Sequence, residues 1–157
     1  MSMLNKFING LGKQQERKTD EIKVEKDVVL EQLVGVYCDW LREQKTLSWK
    51  SDYSLGLNKI NGLEYSCKDI TKLCLKLKDY EQKERFERSG LFLSALINNC
   101  KDLEFLLLTD HLKKEIICIG YKNFKNIIIQ GNTGRGTGWH MQEGIIKVQG
   151  NTGYDTG

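Results

Sequence analysis

Proline is absent from the 157 residues, where about 5% is usual. Chain reversals therefore fall to glycine and asparagine. Histidine is nearly absent: only His111 and His140 occur, far apart in sequence. Both read as turn or loop residues. No HExxH, no G-x-S-x-G and no Cys/His pairing signal is present, so no catalytic constellation emerges. The five cysteines, Cys38, Cys67, Cys74, Cys100 and Cys118, are odd in number and contain no CxxC pair. That excludes metal-ligand spacing and the framework of a small disulfide-rich secreted domain. Buried, reduced thiols in a cytoplasmic protein are expected. No run approaches the roughly 18–20 apolar residues of a membrane span. The first residues also lack the roughly 7–15-residue apolar core of a secretory signal. Charge of one sign is lacking too: 24 basic and 21 acidic residues leave a net +3, and the signs are mixed along the chain. This argues against a nucleic-acid binder.

What is present falls into three stretches: a polar N-terminal segment over 1–27, a helical domain over 28–100 and a β unit over 101–157. Within the first, Leu4, Phe7, Ile8 and Leu11 share one helical face beside Lys6 and Lys13. That face suits a frayed terminus or a helix docked on its own domain better than a membrane-surface anchor. Residues 12–27 are almost wholly polar. From Val28, Val29, Leu33, Val36 and Trp40 recur at helical spacing, and Asp27 is placed to cap them. A helix over 28–44 follows. Residues 45–66 carry aromatic and aliphatic side chains without a clean period, so a loop with short irregular elements is expected. A second helix is predicted from Ser66 to about Arg88, on the stripe Ile70, Leu73, Cys74, Leu77 and Tyr80. Glu81, Glu84 and Glu87, with Lys83, Arg85 and Arg88, read as its exposed face. Leu91 to Ile97 is nearly all apolar and predicts a buried helix. Glu104–Thr109 and Ile116–Gly120 then read as strands.

Glycine changes the picture at the C-terminal end, because nine of the fifteen glycines lie between Gly120 and Gly157. Residues from Ile127 repeat from Ile146 with a period of nineteen. Ile127, Ile129 and Gln130 match Ile146, Val148 and Gln149. Gly131, Asn132, Thr133 and Gly134 match Gly150, Asn151, Thr152 and Gly153. Thr137 and Gly138 match Thr156 and Gly157. A fixed period of this kind marks a repeat architecture. The alternation of Ile127 and Ile129 is that of a strand, and Gly-Asn-Thr-Gly supplies the corner after it. Stacking at this period would lay Ile146 on Ile127 and Asn151 on Asn132. The fold expected is α+β: a helical N-terminal part followed by the first coils of a right-handed parallel β-helix, a solenoid whose N-terminal end Leu91–Ile97 would close. The run GNTGRGTG is not a phosphate cradle, since no Gly-Lys-Ser/Thr follows it and it leads to a strand.

At these repeated I-x-V/I-x-G-N-T-G-x-x-T-G units, with Met141-Gln142-Glu143-Gly144 between them, the chain resembles the GXGXG-type domain. That domain occurs in the large subunit of glutamate synthase and in one component of formylmethanofuran dehydrogenase. The resemblance covers residues 104–157 and is strongest over 127–157. It implies a scaffold that packs against catalytic domains, with the chemistry elsewhere, so no catalytic, metal or cofactor residue is carried over. The chain shows barely two units and stops at Gly157 in mid-unit. A fragment of a longer protein is expected, or else a second chain at the open end. The function expected is a non-catalytic binding or assembly module. Its partner would be a protein or a second copy; nucleic acid and membrane are not expected, and no cofactor is. The alternative is an accessory part of an oxidoreductase complex related to glutamate synthase.

Overall fold

A computed structural model describes residues 27–44, 48–154 and 156. The N-terminal apolar face at Leu4, Phe7, Ile8 and Leu11 lies outside the described residues, as does nearly all of the polar segment after it.

Helix α1 spans Val28–Glu43. The Asp27 carboxylate accepts the Leu30 N–H at 3.1 Å and caps its first turn. Its stripe buries Leu33, Tyr37 and Trp40. Helix α2, Trp49–Ile60, occupies the stretch expected to be irregular. Ser48 caps it through a bond from the Ser51 N–H. Its buried positions are Asp52, Tyr53, Gly56 and Ile60. They fall at helical spacing, but Asp52 and Gly56 are not hydrophobic, and a hydrophobic pattern cannot register them. The Trp40 indole N–H donates to the Asp52 carbonyl at 2.9 Å and fixes α2 on α1.

Helix α3, Cys67–Lys76, opens with a reciprocal capping box between Ser66 and Asp69. It ends well short of the expected Arg88. A 3-10 turn follows at Leu77–Tyr80, then left-handed Arg85 (φ +62°) and a second 3-10 turn, Phe86–Arg88. Tertiary bonds divert the chain here. The Glu81 carboxylate is buried and accepts the N–H groups of Lys113 and Lys114, both at 2.9 Å. Arg88 is also buried and pairs with Asp52. The supposed exposed face is thus corrected: two of its charges point inward. Helix α4, Ser89–Asn99, is buried along Ser89–Ile97, as its composition requires.

Strands β1 (Glu104–Leu108), β2 (Asn126–Gln130) and β3 (Ile146–Gln149) form one parallel sheet in the order β1-β2-β3. Phe105 pairs with Ile127, and Ile127 with Ile146. Helices and sheet share one core, which runs from Leu33 in α1 to Ile129 in β2.

The expected right-handed β-helix is not what forms. The fold is α+β, with four helices and a single open three-stranded sheet among the described residues. No further sheet closes a coil among the described residues. The backbone explains this. Cys118, Gly120 and Lys122 have φ of +62°, +81° and +54°, and Gly136, Gly138 and His140 have φ of +76°, +72° and +57°. Every second residue is left-handed, whereas a strand needs consecutive extended residues. Ile116–Gly120 is for this reason no strand, in spite of its β-branched composition. Its N–H groups are instead satisfied singly, Ile117 N–H by the Glu87 carbonyl and Cys118 N–H by that of Arg135. Helix α4 lies against this segment: the Ser94 hydroxyl accepts the Gly120 and Tyr121 N–H groups, both at 3.0 Å.

Candidate interaction surface

The two glycine-rich units follow β2 and β3, and their surroundings differ. Gly131, at φ +126°, brings the chain so close to the preceding loop that a Cβ there would strike Thr109 and the Asp110 N–H. The Thr109 hydroxyl reaches over to the Asn132 carbonyl at 2.8 Å. Thr133 is buried, and the Thr137 hydroxyl donates to its oxygen or to the Gly134 carbonyl. Gly134 N–H bonds to the Ile116 carbonyl and Gly138 N–H to the Ile119 carbonyl, each at 2.8 Å. The first unit therefore rests on the loop before it.

Its other side carries the second unit. The Asn132 side-chain oxygen accepts the Asn151 N–H at 2.8 Å. Thr133 N–H donates to the Asn151 carbonyl, and Gly153 N–H returns to the Thr133 carbonyl. A Cβ on Gly150 would fall on the Gly131 carbonyl, and one on Gly153 on the Arg135 N–H. Glycine is needed at both positions by close backbone approach. Asn151 and Thr152 are exposed, whereas Thr133 is buried. Gly157 lies outside the described residues. The second unit thus has neighbours on one side only, among the described residues.

The sheet has the same asymmetry. At its β1 edge, α3 packs alongside, and the Thr71 hydroxyl donates to the Leu106 carbonyl at 2.5 Å. His111 donates from Nε2 to the Cys74 carbonyl at 2.9 Å and ties the following loop to the same helix. This is how folds block an edge strand. At the β3 edge nothing among the described residues does so. The Ile127 N–H bonds to the Ile145 carbonyl. In a parallel ladder the N–H and C=O of Ile146 and Val148 then point away from β2, since these groups alternate along a strand. Ile127 and Ile129 are fully buried, but their counterparts Ile146 and Val148 are only half-buried. Ile145 is 58% exposed and Tyr154 73%. On the sheet itself, Glu104, Asn126, Ile128, Ile145 and Lys147 line a shallow recess of about 180 Å³.

The cysteines take no part in this surface. Burial pushes the thiols of Cys74 and Cys118 up to about 12, with Arg88 and Arg135 pulling weakly the other way on Cys118. Burial and the Asp102 carboxylate push Cys67 up to about 11. Such thiols keep their protons at neutral pH and are poor nucleophiles.

The nineteen-residue period sets the repeat residues side by side, and the paired strands place them so. His140 is an exposed turn residue, as expected. Its ring stacks on exposed Trp139 at 4.7 Å. The signal for it in the sequence is the Trp-His pair inside a glycine-rich loop. No helix among the described residues is long and apolar enough to cross a membrane. Comparison with protein-family models, curated proteins and solved structures finds no match to this chain.

Proposed function

We propose that this protein is a non-catalytic binding or assembly module whose β3 edge takes up an extended strand of another polypeptide. The observation that carries the reading is the unequal treatment of the two sheet edges, one covered by α3 and the other bare among the described residues. Main-chain groups at an open edge supply affinity, and alternate side chains supply selectivity. The strand that fits runs parallel to β3. It has apolar, preferably β-branched residues at alternate positions, to continue the row Phe105, Ile127, Ile146. It then needs a glycine, because Gly150 lies on Gly131 too closely for a Cβ. Five unpaired thiols support a reducing compartment for this work.

The test is a labelled synthetic peptide with the sequence of residues 144–153, titrated against the intact protein by fluorescence anisotropy. Saturable binding is expected, weakened at least about tenfold by Val148→Pro. That change removes an outward N–H and leaves the bonds to β2 in place. A peptide that fails to bind, or that binds the Val148→Pro protein equally well, contradicts the reading.

A further inference from the structure

A second feature, away from the β3 edge, goes beyond this reading. Ser48, Trp49, Lys50, Tyr121, Trp139 and His140 line an open recess of about 420 Å³, within the range of small-molecule sites. Its walls are aromatic rings in fixed mutual geometry. Trp49 and Trp139 meet edge to face at 4.5 Å, and Tyr121 meets His140 edge to face at 5.9 Å. Trp139 remains 40% exposed, although a ring of that size gains by burial. His140 holds its place at φ +57°, where a side chain costs energy that glycine would avoid.

The charges around these rings have one sign. Lys50 is exposed on the wall. The Lys122 ammonium lies 5.7 Å from the ring centres of both Tyr53 and Tyr121, and the Arg135 guanidinium lies 5.4 Å from Trp49. No carboxylate lines the recess among the described residues. Among them, too, none of the three cations has a carboxylate partner. A cationic ligand would be repelled, and a neutral sugar would leave the charges unused. We infer that the recess binds a small ligand with a planar aromatic ring and an anionic group, of the class of nucleoside monophosphates. The ring packs against the part of the aromatic wall that Trp139 leaves exposed, and the anion lies toward Lys50 and Arg135.

The three tryptophans allow a direct test by NMR of their indole N–H signals in the full chain. Trp40 is fully buried, with its N–H bound to Asp52, and serves as the internal control for an intact fold. Adenosine monophosphate is expected to shift the Trp49 and Trp139 signals saturably and to leave Trp40 unmoved. Adenosine should bind more weakly, and the double change Lys50→Glu, Arg135→Glu should weaken the nucleotide about tenfold or more. Inorganic phosphate alone should give no ring-current shift. Three results would each overturn the inference: no saturable shift with the nucleotide, equal binding of adenosine, or tighter binding of methyl glucoside.

Discussion

Cys74 and Cys118 are fully buried, and each keeps its proton far above the ordinary thiol value of 9.0. Burial in the apolar core is the leading cause in both. The sign of the consequence follows from proton linkage. Between about pH 9 and about pH 12 the unfolded chain has released these protons and the folded chain has not. Their contribution to stability is therefore complete below pH 9 and is lost as pH rises toward 12. Each thiol should contribute a slope of up to about 1.4 kcal/mol per pH unit. Urea unfolding midpoints should hold level up to about pH 8.5 and then fall. A midpoint that rises, or stays constant to pH 11, would show that these thiols are not held in the way described. Lys125 is a residue that no sequence pattern announces. It is buried, and its ammonium donates to the Cys100 and Asp102 carbonyls at 2.7 and 2.8 Å. Nothing in the run YKNFKN separates it from Lys122, because the carbonyls it satisfies come from a distant turn.

At the level of elements, caps and strong apolar stripes are legible and long-range polar bonds are not. Asp27, Leu33 and Trp40 announce α1, and the apolar run from Leu91 announces α4. The strand at Glu104 shows as a short apolar run, and those at Asn126 and Ile146 show through β-branched residues at alternate positions. Helix α2 escapes such a pattern because Gly56 faces inward, where a Cβ would meet Ala95 and Phe92, and because Asp52 is buried to meet Arg88. The early end of α3 is hidden because Glu81 and Phe86 are claimed by tertiary contacts. Ile116–Gly120 has strand composition but left-handed corners, and only the bonds it makes to Glu87 and Arg135 decide between the two. The start of α3, by contrast, rests on a local device. Ser66 accepts the Asp69 N–H, and Asp69 accepts the Ser66 N–H at 2.8 Å. Ser66→Ala should cost about 1 kcal/mol in chemical denaturation, with the slope unchanged. No loss would mean that Asp69 alone supports the turn.

For the whole molecule, the period of nineteen pairs Ile127 with Ile146 and Ile129 with Val148, and the sheet has this register. The closed solenoid does not follow from it, because pairing one strand per period says nothing of the backbone between strands. That backbone alternates into the left-handed region and leaves one open sheet. The functional reading follows from how the sheet's edges are treated. Helix α3 shields β1, and β3 carries outward-facing main-chain groups beside half-buried Ile146 and Val148. Amide hydrogen exchange resolved residue by residue examines this geometry most directly. The N–H groups of Lys147 and Gln149, which face β2, should exchange slowly. Those of Ile146 and Val148 should exchange fast in the free protein and become protected when the 144–153 peptide is added. If Ile146 and Val148 are already protected without peptide, or stay unprotected with it at saturation, β3 is not an open edge that accepts a strand.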